Sequence, residues 1–173
     1  MKLNPKFKHQ QGFTLAELMI VIAIIIILAG IVIGSMQFVK TRQKNNQAEI
    51  QIKLLENAIQ HYHTDNGEYP GDADAGGTTG TGQSNMLYRA LFYDGYLADN
   101  NSLIYLSELD PATDVQKWID GTGASATIVD PWGEEYRYRR GSAAMNPDYD
   151  LWSTGSDGPD GTSGNDKDDI KNF

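Results

Sequence analysis

Gly12-Phe13-Thr14-Leu15-Ala16-Glu17, followed by the uncharged apolar run Leu18 to Val39, decides how this 173-residue chain is read. Lys2, Lys6 and Lys8 precede it. An ordinary secretory signal carries its cleavage site behind the apolar stretch, next to small residues, so the stretch is discarded. Here Gly12 stands in front. A cut between Gly12 and Phe13 leaves Phe13 as the new N-terminus and keeps the apolar helix. Leu18 to Val39 as a helix spans roughly 33 Å, enough for a hydrocarbon core. Lysines before it and an acidic portion after it place the C-terminal part outside the cytoplasm.

Glu17 needs a physical account. A carboxylate deep in a membrane helix costs about 2.5–3.5 kcal/mol, so it requires a partner or an escape to the interface. Cleavage would create a free amine on Phe13, four residues earlier. That amine can pair with Glu17 of the same helix or of a neighbouring copy.

Beyond Val39, Lys40, Arg42 and Lys44 mark the exit from the bilayer. Ala48, Ile52, Leu55, Ile59 and Tyr62 then recur at intervals of four and three, with Leu54 and Ala58 widening the stripe. This is an amphipathic helix with one buried face. Asn66-Gly67 supplies a stop, and Pro70 blocks continuation. Gly30 and Gly34 form a G-x-x-x-G pair, either a close-packing face or two tolerated glycines. His61 and His63 are two apart, so they do not share a helix face and read as surface residues rather than a metal pair.

After Pro70 the composition is that of a small α+β or β head. Asp72 to Gln83 (DADAGGTTGTGQ) reads as a mobile surface loop. Ser84 is placed to cap a short helix through Phe92, ending at Asp94-Gly95. Asp130-Pro131-Trp132-Gly133 reads as a turn. Tyr136-Arg137-Tyr138-Arg139 alternates like a strand, tyrosines on one face and arginines on the other. Tyr149-Asp150-Leu151-Trp152-Ser153 pairs with it across the connection 141–148. A small antiparallel sheet on the apolar stripe of the long helix buries both. The expected fold is therefore α+β.

Formal charge is −9, and −12 once the leader lysines are lost, with 11 basic against 23 acidic residues. Such a surface argues against nucleic-acid binding and favours metal cations or basic partner surfaces. There is no cysteine, hence no disulfide framework and no thiol catalyst. Neither a G-x-S-x-G elbow nor an H-E-x-x-H helix occurs, and no nucleophile has an evident base. The chain reads as a non-enzyme.

The leader, the Gly-Phe-Thr-Leu-x-Glu junction and the apolar run together resemble the type III signal of type IV pilins and type II secretion pseudopilins. That resemblance implies a membrane-embedded prepilin peptidase that cuts after Gly12 and methylates Phe13. It also implies that Glu17 aligns an incoming subunit in a growing filament. Asp65-Asn66-Gly67-Glu68-Tyr69-Pro70, Asp130-Pro131-Trp132-Gly133 with Tyr136, and Tyr149 to Ser153 leading into Gly155-Ser156-Asp157-Gly158 look like the type II secretion major pseudopilins. So does the ending Asp168-Asp169-Ile170-Lys171-Asn172-Phe173. The likeness covers residues 1–70 and 128–173. It implies a type IV pilin-like fold, an inner-membrane anchor and a periplasmic head. The implied partners are further copies of the chain, minor pseudopilins and the inner-membrane assembly platform.

Between Asp148 and Asp169 stand seven aspartates, countered only by Lys167. Two unit charges about 4 Å apart interact by roughly 4 kcal/mol at an effective dielectric near 20, so gathering them in one loop calls for a cation. Calcium accepts several oxygen ligands in flexible geometry, and magnesium does so less readily. The resemblance implies a calcium held by Asp157, Asp168, Asp169 and the carbonyl of Thr154. More residues separate Asp157 from Asp168 than in the usual member, so Asp160 or Asp166 is a candidate to substitute.

The resulting division is a cleaved leader at 1–12, a transmembrane and assembly helix at 13–39, and its amphipathic extension at 40–65. A variable region at 66–127 and a sheet with a calcium loop at 128–173 follow. The alternatives are a type IV pilin or minor pilin, which shares the N-terminal half, and an exported calcium-binding adhesin or enzyme on a membrane anchor.

Overall fold

A computed structural model describes residues 13–97, 103–114, 116–156, 158 and 167–173, with the side chains of 32–37 excepted. One helix, α1 (Leu15–Asn66), runs without a break through Gly30 and Gly34. Gly67 ends it, its N–H donating to the His63 carbonyl at 2.8 Å. Contacts divide the chain into two units, Met1–Lys40 and Thr41–Phe173.

In the first unit the described apolar side chains have no cover from their own chain. Leu18 to Leu28 and Ile31 are exposed, Ile24 at 51% and Ile27 at 64%. A Cβ added at Gly30 would meet nothing within 4 Å. Among the described residues no helix is long and apolar enough to cross a membrane; the described side chains of the apolar run end at Ile31 and resume at Phe38.

The second unit is built on the other part of α1. Ala48, Ile52, Leu55, Ala58 and Ile59 are buried, the stripe the helical period predicts. Each fully buried leucine or isoleucine contributes about 1.5–3 kcal/mol relative to exposure. Against the stripe pack Leu87, Leu91, Trp118, Ile128, Tyr136 and Tyr138. Gln51 lies within this core, accepting from the Tyr136 hydroxyl at 2.7 Å and donating to Gln116 at 3.3 Å.

Two antiparallel sheets complete the unit. The strands β1 (Ile119–Asp120) and β2 (Thr127–Ile128) pair through Ile119 with Ile128. The larger sheet has the order β3 (Arg137–Arg140), β4 (Tyr149–Ser153), β5 (Ile170–Lys171), with Arg140 opposite Tyr149 and Ser153 opposite Ile170. The hairpin β3–β4 is the one its alternating sequence anticipates.

Two local expectations are corrected, and one face of β3 is filled in a way its alternation left open. The segment 72–83 is pinned to the outer edge of β3: Tyr138 N–H donates to the Gly80 carbonyl at 3.1 Å, and Arg140 N–H to that of Ala75 at 3.0 Å. Gly76 permits this approach, because a Cβ there would lie 2.1 Å from the Tyr138 carbonyl oxygen. The arginine face of β3 is consequently only partly solvated, Arg137 being half-buried. Arg139 is buried, donating to Asp150 at 2.6 Å and to the Thr78 carbonyl at 2.8 Å, with its guanidinium over the Trp152 and Phe173 rings. Finally, Ser84 does not cap α2 (Ser84–Tyr88) but lies inside it, its buried hydroxyl exchanging hydrogen bonds with the backbone of Ile128. The helix then widens into a π turn at Arg89–Tyr93 and closes with α3 (Asp94–Tyr96).

Candidate functional site

Two places carry the chemistry, and each lies within one unit. At the helix start Gly12 lies outside the described residues, while Phe13 is 91% exposed. The Thr14 backbone N–H donates to Glu17 Oε2 at 2.8 Å and the Thr14 hydroxyl to the same oxygen at 2.9 Å. Glu17 N–H donates back to the Thr14 hydroxyl oxygen at 3.2 Å. This is a reciprocal capping box. It gives the carboxylate hydrogen-bond partners within its own helix. Thr14 is a residue the sequence reading passed over, although the Thr-x-x-Glu spacing before an apolar run signals it.

At the other end of the chain, β4 delivers Ser153 and Thr154. The buried Asp130 carboxylate fixes this exit. Its Oδ1 accepts from the N–H groups of Trp132 and Glu134, and its Oδ2 from the Ser153 hydroxyl at 2.5 Å. Gly155 N–H then donates to the Ser153 hydroxyl oxygen at 3.1 Å. Gly155 has φ +73°, and a Cβ there would meet the Asp168 carbonyl oxygen at 2.4 Å. Only glycine lets the turn press this closely on Asp168. Asp168 Oδ2 accepts from Ser156 N–H at 2.7 Å and from the Ser156 hydroxyl at 3.1 Å, so the two ends of the loop are clasped.

Of the residues expected to hold a metal, the fold therefore brings the Thr154–Ser156 turn against Asp168, with Asp169 next in chain before β5. Asp157, Asp160 and Asp166 lie outside the described residues. Among the described residues, no group of three or more potential side-chain ligands forms a metal cluster. Asp150 leaves the acidic tail altogether, being committed to Arg139 and to the N–H groups of Met145 and Asn146. Asp74, part of the discounted Asp72-x-Asp74 pair, accepts from Ser142 N–H at 3.0 Å, which holds its carboxyl below the usual range. His63 stacks on Tyr69 with ring centroids 4.1 Å apart.

The donor set suits a hard cation. The Thr154 hydroxyl oxygen is buried without a hydrogen-bond partner, beside a turn whose neighbours are carboxylate and backbone oxygens. Buried polar atoms are nearly always satisfied, and this unpaired hydroxyl leaves an oxygen with which a cation is chemically compatible. Sequence reasoning read Asp130 as a turn residue and missed its bond to Ser153, 23 positions away.

The family model described as Type II secretion system (T2SS), protein G matches residues 83–173, and the prokaryotic N-terminal methylation motif matches residues 7–33. The first match runs through 83–127, which the sequence likeness had set apart. The type II secretion system core protein G of Escherichia coli (strain K12) is 33% identical over 95% of this chain and 91% of that protein. That of Aeromonas hydrophila is 30% identical over 96% and 94%. A fimbrial protein of Neisseria meningitidis is 38% identical, over 39% of this chain and 40% of its own length. No solved structure matches the chain at a significant level. An apolar helix with a capped glutamate and a clasped acidic loop is thus joined to likeness along nearly the whole length, and the chain belongs to the type II secretion system protein G family.

Proposed function

We propose that the chain is a structural subunit of a type II secretion pseudopilus, anchored in the inner membrane until prepilin peptidase cuts after Gly12 and methylates Phe13. The observation that carries this reading is the uncovered apolar surface of Leu15 to Ile31 on a helix that opens with Glu17. Such a surface is stable in lipid or against identical helices, and in water it is not. Copies extracted from the bilayer bury these helices against one another, and that burial drives assembly into a filament.

Glu17 sets the register. In the single chain its carboxylate bonds to Thr14; in the filament the methylated amine of a neighbour's Phe13 replaces part of that bonding. The head faces the periplasm. Minor pseudopilins and the inner-membrane assembly platform are the remaining partners. The subunit performs no catalysis, and Gly12-Phe13 is a substrate for another protein's active site.

Calcium fastens the head. Thr154 through its carbonyl, together with Asp157, Asp168 and Asp169, would hold the ion. Bound there, it would neutralise carboxylates that otherwise repel and would tie the exit of β4 to the entry of β5.

N-terminal sequencing and mass measurement of subunits recovered from assembled fibres test the maturation step. Methylated Phe13 is the expected terminus. Fibres whose subunits still carry Met1, or begin beyond Val39, would overturn the reading. Complementation separates secretion from pilus formation: the gene should restore export in a host lacking its own pseudopilin. Calorimetry of the full chain in non-ionic detergent with calcium should give a heat that Asp168→Ala abolishes, and a wild-type chain giving none would remove the metal from the account.

A further inference from the structure

A pocket of about 540 Å³ in the Thr41–Phe173 unit plays no part in the helix start or the acidic loop. Its walls combine apolar surface with unused oxygen acceptors. Tyr62 and Tyr105 meet edge to face, ring centroids 5.3 Å apart, and Met86 also lines the pocket. Two amides line it as well, and both have spent their donors. Asn66 Nδ2 donates to the Tyr62 carbonyl at 2.9 Å and to the Tyr105 hydroxyl oxygen at 3.0 Å. Asn85 Nδ2 donates to the carbonyls of Ala124 and Ala126 at 2.8 and 2.6 Å. What Asn66 and Asn85 have left to offer is oxygen.

The charges point the same way. Arg89 and Asp94 both line the pocket and pair at 3.3 Å through Oδ1 alone. Residues five apart on an α-helix lie about 140° apart around the axis and do not meet. The π turn, in which Asp94 N–H donates to the Arg89 carbonyl, brings them together. Arg89 and Asp94 thereby cancel in charge, so the net negative charge of the lining is that of Asp65, and among the described residues no hydrogen bond reaches Asp94 Oδ2 or the Asp65 carboxylate. Burial, then the charge of Glu68, holds the Tyr62 hydroxyl above the ordinary tyrosine range, with Asp94 adding to it. An anion would meet Asp65 unscreened, and a wholly apolar ligand would strip water from oxygens it cannot satisfy. A cationic head with several N–H donors on an apolar stem satisfies both the oxygens and the aromatic wall.

We propose that this pocket receives an arginine or lysine side chain presented by a protein partner, its stem along Tyr62, Tyr105 and Met86 and its charged head at Asp65 and Asp94. The function goes beyond assembly. It gives the acidic head a means of holding a basic surface at a defined place.

The test is calorimetry on the full chain in non-ionic detergent, with N-acetyl-arginine methylamide and N-acetyl-lysine methylamide as probes. N-acetyl-norleucine methylamide is the neutral control and spermidine the free-cation control. At least one blocked basic amino acid should bind saturably and the norleucine derivative should not. Asp65→Asn, at an exposed position, should weaken binding at least about fivefold while leaving the melting temperature unchanged; Asp94→Asn is the second variant. Absence of saturable binding by both basic probes, undiminished binding by both variants, or equal binding of norleucine would overturn the proposal. Spermidine binding alone would transfer the site from a protein side chain to a free polyamine and overturn the assignment of the partner.

Discussion

The two parts of α1 are written in similar apolar residues and meet opposite fates. Ile24 is 51% exposed and Leu55 is wholly buried. The difference is the company of polar positions. From Leu18 to Val39 no charge interrupts the apolar run, so no face is reserved for water. From Ala48 to Ile59 the apolar residues other than the exposed Ile50 keep to one side while Glu49, Lys53 and Glu56 occupy the other. A stripe fixes one orientation against one partner, here the chain's own sheet. An all-round apolar surface fixes none, and suits an environment that is itself apolar on all sides.

The covered part should show the largest single loss. Asp150→Ala removes the carboxylate that the buried Arg139 guanidinium meets at 2.6 Å and should cost about 3–5 kcal/mol in urea unfolding of the full chain. An unchanged midpoint would mean that 72–83 and the C-terminus do not seal this site. Next comes the direct contrast. Leu55→Ala should lower head stability by about 2–5 kcal/mol. Ile24→Ala should leave the midpoint in place and reduce the yield of assembled filament instead. Equal midpoint shifts for the two would erase the distinction.

The remaining predictions are smaller. Thr14→Ala removes the cap and should cost about 1 kcal/mol of local helix stability, seen as faster amide exchange at Glu17 and Leu18 with the head unaffected. Alkaline pH gives a complementary handle on the covered part. Burial pushes the Tyr149 hydroxyl up to about 12, from an ordinary value of 10.0. A raised folded-state value favours the neutral phenol, so this contribution is intact below pH 10 and is lost as pH rises through about 12. Tyr149→Phe should therefore flatten the fall in stability across that window. A fall as steep as in the wild type would assign it to Tyr136 and Tyr138, both raised by burial.

What was legible in the sequence is what local physics determines. The stripe on α1, its stop at Gly67, the turn at Asp130-Pro131 and the β3–β4 pairing each follow from spacing or from turn-forming residues close together in the chain. Thr14 was legible too, through the capping-box spacing. Arg139 was not legible. Alternation places it on an outer face, and its burial depends on Thr78 and Phe173, 61 and 34 positions away in the chain. Asp150 was counted with the acidic tail for the same reason: charge in a sequence does not reveal which carboxylate finds a guanidinium. The pocket at Tyr62 and Tyr105 draws on three separated segments, one of which contains the π turn, and no periodicity announces one.

The fastening of Ser156 to Asp168 has an engineering consequence. With Ser156 and Asp168 held together, a connection between them can be lengthened at small entropic expense, roughly 0.6 kcal/mol for each doubling. The sequence between Gly158 and Lys167 is accordingly where a fluorophore-bearing or affinity insert should be tolerated, giving a handle for watching single protomers enter a living machine.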